Sequence, residues 1–151
     1  QGIETLSVRM QKHCSNAEKM VKFLSNHESV AWVSHASVPD HPDHDLAKKL
    51  LPNGAGSMIA FGIKGGKEAG EAFINNVKLA SHLANVGDTR TLVIHPASAT
   101  HSQMDEVTLK FAGLSQDMIR LSVGIEDIDD IKNDFEDGFK AAKKLKLVVN
   151  K

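Results

Sequence analysis

Apolar residues recur at three- and four-residue steps at both ends of the 151-residue chain. This spacing predicts one amphipathic helix over residues 4–27 and another over residues 127–145. The second segment has an acidic first turn and a basic last turn, which suits the helix dipole. The apolar stripe of the first segment consists of Leu6, Met10, Cys14, Ala17, Val21 and Leu24.

Shorter elements are predicted between the two long helices. Apolar runs bounded by turn residues indicate strands at 30–33, 57–63, 79–83, 90–94 and 118–123. Helices are expected at 43–51, 67–77 and 102–111, with Ser102 as the N-cap of the last and Gly113 at its end. Together these elements predict an α+β fold: a small, mostly antiparallel sheet covered by helices.

The composition narrows the class of protein. Hydrophobic residues make up 41% of the chain and charged residues 25%, as in an ordinary globular domain. The net charge of −1 produces no positive electrostatic field that would attract nucleic acid. No apolar run is long enough for a membrane span. The lone Cys14 has no internal disulfide partner. We therefore expect a single cytoplasmic domain that binds neither nucleic acid nor membrane.

Two motifs and two candidate nucleophiles suggest chemistry that their spacing or setting does not support. Residues 40–45, DHPDHD, read as a surface turn in which Asp43 caps the next helix, so no metal site is expected. Residues 62–68, GIKGGKE, lack the spacing of a phosphate-binding loop and suit a strand–turn–helix joint. No G-x-S-x-G elbow supports a serine nucleophile, and Cys14 lies on an apolar stripe.

Arg120 is the most informative charge, because it lies inside an apolar strand. One interpretation is an outward-facing residue of an alternating strand, or a partner for Glu126 or Asp127. The other is a fixed guanidinium fork for a carboxylate or phosphate, since arginine offers planar bidentate donors and stays charged. The sequence pattern alone leaves both open.

Three motifs, in order and spacing, resemble one enzyme family. They are NVGD at 85–88, LVIHPASATHSQ at 92–103 and IRLSVGIED at 119–127, supported by GIETL at 2–6, HPDH at 41–44 and FGIKGG at 61–66. The chain resembles the C-terminal domain of the pyridoxal-phosphate enzymes of cysteine and methionine metabolism over essentially its whole length. The resemblance implies the small domain of the aspartate-aminotransferase fold (fold type I), on the substrate side of a large cofactor domain that lies outside residues 1–151.

The resemblance also implies roles for individual residues. Arg120 would bind the α-carboxylate of an amino-acid substrate, Asn85 would border that carboxylate, and Thr100 would support the pocket by hydrogen bonding. Ser98 and His95 would shape the adjoining loop. The segment HLANVGD at 82–88 is most similar to the O-acetylhomoserine sulfhydrylase branch, because γ-lyases and cystathionine enzymes typically carry serine at position 85. That branch makes homocysteine from O-acetylhomoserine and sulfide.

Two family features are absent from this sequence. The Ser-x-Thr-Lys motif of the cofactor lysine does not occur, and the chain has no tyrosine to stack on the cofactor. Because the chain also starts at Gln1 without an initiator Met, we expect a catalytically inactive piece of a longer, homotetrameric enzyme. The alternatives are the same domain of a methionine γ-lyase or a cystathionine γ-synthase or lyase, or a non-catalytic binding module.

Overall fold

The computed structural model describes the backbone of residues 2–149 and the side chains of residues 2–145. The helices are α1 (Leu6–Ser25), α2 (His44–Leu50), α3 (Gly66–Asn76), α4 (Glu106–Phe111) and α5 (Ile128–Val149), with a 3₁₀ turn at Pro96–Ser98. The strands are β1 (Val30–Ser34), β2 (Met58–Ile63), β3 (Ser81–His82), β4 (Leu92–Ile94) and β5 (Met118–Ser122). Among the described helices, none is long and apolar enough to cross a membrane.

The five strands form one sheet in the order β1-β2-β5-β4-β3. The β1–β2, β2–β5 and β5–β4 pairs are antiparallel, and the short β3–β4 pair is parallel. The predicted α+β class and the mostly antiparallel sheet are therefore confirmed. β5 lies at the centre of the sheet, which gives its side chains fixed neighbours on two strands.

One face of the sheet carries the hydrophobic core. Alternate residues of the strands, such as Ile59, Phe61 and Leu121, are at most 1% exposed, and α1, α3 and α5 pack over them. Four phenylalanines join these layers, with ring centroids 4.9–6.5 Å apart: Phe61, Phe73, Phe135 and Phe139. Burying each ring contributes about 1.5–3 kcal/mol, so this cluster accounts for much of the stability of the layered core.

One predicted cap is wrong, and another is confirmed in position only. α4 does not begin at Ser102, because the Asp105 carboxylate accepts a hydrogen bond from the Thr108 N–H at 2.8 Å and caps the helix there. Asp43 occupies the N-cap position of α2, as predicted, but its side chain makes no capping hydrogen bond. Gly113 does follow α4, with a φ of +73° that suits glycine.

The strands predicted at 79–83 and 90–94 shrink to Ser81–His82 and Leu92–Ile94. The Asp134 carboxylate accepts hydrogen bonds from the backbone N–H groups of residues 78–80, at 2.6–3.0 Å. The N–H of Thr91 binds the Glu126 carboxylate at 2.6 Å. Side chains from distant parts of the chain therefore take backbone groups that a longer strand pairing would need.

Candidate functional site

Arg120 lies in the middle of β5, opposite Ala60 of β2 and Ile94 of β4. Its side chain is half-buried and lies on the face opposite the core residues Ile119 and Leu121. The packing of two neighbouring strands therefore fixes where the guanidinium stem leaves the sheet.

The Arg120 guanidinium has no protein partner among the described residues. It forms no ion pair there, and the hydrogen bonds that arginine side chains donate come from Arg9 and Arg90. The partners proposed from the sequence are engaged elsewhere. Glu126 binds Thr91, and Asp127 accepts the N–H of Asp129 at 2.8 Å. The predicted pairing with Glu126 or Asp127 is thus wrong, and the Arg120 donors have no acceptor among the described residues.

Asn85 lies in an exposed turn before β4. Its Oδ1 accepts the N–H of Val86 at 2.8 Å, and its amide N–H₂ group has no acceptor among the described residues. Gly87 follows with a φ of +76°, so the turn uses a conformation that favours glycine. The side-chain amide donor of Asn85 is thus available to a ligand.

Thr100 lies in the loop that leaves β4 on the other side. This loop begins next to Ile94, the register partner of Arg120, but the Thr100 hydroxyl is exposed and bonds Nδ1 of His101 at 2.7 Å. No hydrogen bond joins Thr100, Asn85 and Arg120 to one another within the described part of the chain. The structure therefore places the three predicted residues around β4 without a direct connection between them.

His95 anchors the loop that carries Thr100. It is fully buried, with Nδ1 2.7 Å from the Ser98 hydroxyl and Nε2 2.8 Å from the Gln116 carbonyl. Burial lowers the pKa of His95, against a smaller opposing effect of the Gln116 carbonyl. A neutral ring that donates from Nε2 to Gln116 and accepts at Nδ1 from Ser98 satisfies both contacts. His95 and Ser98 thus hold the loop in place, as the resemblance implies.

A second anchor, which sequence reasoning missed, involves Glu126. Its two carboxylate oxygens accept the N–H of Thr91 at 2.6 Å and the Thr91 hydroxyl at 2.8 Å. The same hydroxyl accepts the N–H of Gly124 at 2.9 Å. No local signal identifies this pairing, because 35 residues separate Thr91 from Glu126.

The glycine-rich joint at 62–68 adopts the strand–turn–helix geometry that the sequence predicts. At the 62–68 joint, Gly65 and Gly66 have φ values of +122° and +69° at the start of α3, as a tight strand–helix turn requires. A surface pocket of about 400 Å³ beside them is lined by charges of both signs, including Lys110 and Glu106. Among the described residues, no three histidine, cysteine, aspartate or glutamate side chains are placed to hold a metal ion.

The model of the family described as Cys/Met metabolism PLP-dependent enzyme matches residues 1–140. The chain belongs to this family. It is 52% identical over 141 residues to the O-acetyl-L-homoserine sulfhydrylase of Corynebacterium glutamicum, covering 93% of this chain and 32% of the relative. It is 44% identical over 137 residues to the L-methionine gamma-lyase of Fusobacterium nucleatum, covering 91% and 34%. The chain thus spans about a third of the length of these curated relatives.

A solved structure supports the same assignment at the level of the fold. The putative O-acetylhomoserine (thiol)-lyase of Campylobacter jejuni, which contains a pyridoxyl-lysine phosphate, matches with a TM-score of 0.85 and 38% identity. The match covers 93% of this chain and 33% of that protein. The chain therefore has the fold of part of a fold type I PLP enzyme, as the resemblance implied.

Within residues 2–145, the side chains do not fit a covalent pyridoxal-phosphate site. Every lysine side chain among residues 2–145 is exposed except Lys132, which is half-buried and pairs with Asp129 at 3.1 Å. The sequence contains no tyrosine that could stack on the cofactor ring. The family is PLP-dependent, but the described side chains of this chain would not hold the cofactor by a covalent bond.

Proposed function

We propose that this chain is the C-terminal, substrate-side domain of a PLP-dependent O-acetylhomoserine sulfhydrylase. In this proposal, Arg120 binds the α-carboxylate of O-acetylhomoserine, and Asn85 donates a further hydrogen bond. The observation that carries the proposal is the guanidinium of Arg120 in the centre of the sheet, which has no partner among residues 2–145. A half-buried cation without a protein counter-charge is stabilised when a carboxylate binds it through two parallel hydrogen bonds.

Binding and orientation are the work that Arg120 can do. An arginine side chain binds and orients anions through its planar donors rather than transferring protons. The position of Arg120 on β5, between Ala60 and Ile94 of the neighbouring strands, limits the directions in which a bound amino acid can point. Fixing a substrate in this way removes unproductive poses and contributes several kcal/mol to catalysis in general.

The cofactor would act as the electron sink of the reaction, held by the larger part of the enzyme that lies outside this chain. Since the sequence contains neither the Ser-x-Thr-Lys motif nor a tyrosine, we expect the 151-residue chain alone to form no homocysteine. In the full enzyme we expect sulfide as co-substrate and a homotetrameric assembly, because the resemblance to this enzyme family implies both.

A methionine γ-lyase is the second candidate, because a relative with that name is 44% identical. Asn85 favours the sulfhydrylase, since the lyase branch typically carries serine there. The two activities differ in their chemistry at Cγ: a replacement by sulfide in one, and elimination to a 2-oxo acid, ammonia and a thiol in the other.

The test compares both reactions with the full-length protein that contains this chain, loaded with pyridoxal phosphate. Homocysteine formation from O-acetylhomoserine and sulfide is measured beside 2-oxobutanoate formation from methionine. We expect the first reaction to be faster by at least about tenfold in kcat/KM. A faster elimination from methionine would replace the sulfhydrylase assignment with the lyase. Homocysteine formation by the isolated 151-residue chain would contradict the division of roles between the two parts.

A further inference from the structure

A hydrogen-bonded clamp joins residues 83–90, the segment that carries Asn85, to β5, the strand that carries Arg120. The clamp consists of Thr91, Gly124 and Glu126. The Glu126 carboxylate accepts the N–H and the hydroxyl of Thr91 at 2.6 and 2.8 Å, and the Thr91 hydroxyl accepts the Gly124 N–H at 2.9 Å. Thr91 directly precedes β4, and Gly124 lies two residues after β5.

The clamp is tightly built. Thr91 is fully buried, and a Cβ added to Gly124 would lie 2.2 Å from Glu126 Oε2 and 2.4 Å from the Thr91 nitrogen. Asn16 of α1 donates to the carbonyls of Gly124 and Glu126 at 3.1 and 2.9 Å. The backbone of the clamp is therefore held against α1 as well as against the sheet.

Both ends of the Asn85 segment meet at this clamp. At its start, the N–H of Ser81 donates to the Thr91 carbonyl at 2.9 Å. At its end, the Thr89 carbonyl accepts the N–H of Ile125 at 2.9 Å. Thr91 thus holds the start of the segment, and the hydrogen bond between Thr89 and Ile125 holds its end.

Between these anchors, the segment 83–90 has few other restraints. All of its residues are exposed except the half-buried Asp88. Its side-chain hydrogen bonds among the described residues are local: Asn85 to the N–H of Val86, and Asp88 to Arg90. The location of Asn85 relative to β5 is consequently set at the clamp rather than by contacts of its own.

We infer that Glu126, acting through Thr91, is a positioning residue for substrate binding: it holds the Asn85 segment against the strand of Arg120. The inference rests on the proposed function, in which these two residues contact the same carboxylate. Loss of the Thr91 hydroxyl would leave Glu126 Oε2 without a donor and the Gly124 N–H without an acceptor. The Asn85 amide would then spend less time within reach of the carboxylate, while Arg120 would stay in the sheet.

The experiment uses the full-length PLP-loaded protein and the substitution Thr91→Val, with Thr91→Ser as the matched control that keeps the hydroxyl. For Thr91→Val we expect the KM for O-acetylhomoserine to rise about tenfold with kcat within about threefold, as for the loss of one hydrogen bond to a charged group. Thr91→Ser restores KM to near the wild-type value. Glu126→Ala, which removes the carboxylate itself, raises KM at least as much as Thr91→Val.

Ile74→Val is the control that distinguishes a general loss of stability from a loss of substrate positioning. It shortens a core side chain of α3 that is 5% exposed and is not part of the clamp. We expect this variant to lower the unfolding midpoint without raising KM. An unchanged KM in Thr91→Val, or an equal rise in Ile74→Val, overturns the inference. Arg120→Lys is measured in parallel: if its KM is also unchanged, the proposed function fails, whereas a raised KM in Arg120→Lys alone refutes only the positioning role of Glu126.

Discussion

Gly70→Ala tests how the His95 anchor is packed, because helix propensity and packing predict opposite signs. Gly70 lies in the interior of α3, where alanine is the better helix former by about 0.8–1 kcal/mol. However, a Cβ at this position would lie 2.6 Å from Nε2 and 2.8 Å from Cδ2 of His95. The imidazole is fully buried between its two hydrogen-bond partners and cannot move away without breaking one of them.

The packing effect is the larger of the two. Forcing an extra methyl group into a packed interior costs about 1–3 kcal/mol. A displaced His95 would also lose one of its buried hydrogen bonds, at about 1 kcal/mol net. Subtracting the helix-propensity gain leaves a destabilisation of about 1–3 kcal/mol.

Urea unfolding of the 151-residue chain at pH 7.5, followed by circular dichroism, measures this effect. We expect the midpoint of Gly70→Ala to fall by about 1 M. In a His95→Ala background the ring is gone, so Gly70→Ala becomes neutral or stabilises by up to about 1 kcal/mol, and the double-mutant cycle isolates the clash. A Gly70→Ala chain that is more stable than wild type would refute the packing argument.

Three further predictions concern stability. Burial lowers the pKa of His95 and of His35, so below about pH 6.5 the unfolded chain takes up protons at these two residues more readily than the folded chain does. Their contribution to the free energy of unfolding is therefore constant above that pH and falls below it. His95→Gln makes this fall shallower in urea titrations between pH 8 and 5, and an unchanged slope would contradict the assignment. Phe73→Ala removes a ring that is 4.9 Å from Phe139 and lowers the free energy of unfolding by about 3–5 kcal/mol; a loss under about 1 kcal/mol in the same titration would speak against the aromatic cluster. Asp134→Asn leaves one acceptor oxygen for three N–H groups and costs about 1–3 kcal/mol, so an equal urea midpoint would argue against this cap.

The elements that were predicted well from the sequence are those with a local periodic signal. The long helices α1 and α5 and the strands β2 and β5 follow apolar spacings of about 3.6 and 2 residues. Arg120 stood out because a charge inside an apolar strand breaks that pattern. The structure adds that no described carboxylate neutralises it, which spacing alone could not decide.

The parts that could not be predicted depend on contacts between distant residues. Ser102 is a good capping residue by type, yet Asp105 caps α4 because the chain from Pro96 to His101 is occupied by the turn built on His95. Glu126 was considered only as a partner for the nearby Arg120, whereas its partner in space is Thr91. Such pairings depend on the order of the strands in the sheet, which cannot be deduced from local residue spacing.

Carboxylate recognition by Arg120 is the central claim, and inhibition by an acid and its amide tests it most directly. In the full-length PLP-loaded protein, the inhibition constants of homoserine and homoserine amide are compared for wild type and Arg120→Gln. We expect wild type to bind the acid at least about tenfold more tightly than the amide, and Arg120→Gln to lose this preference, because the bidentate charged pair is gone. An Arg120→Gln enzyme that keeps the wild-type preference for the acid would contradict the account.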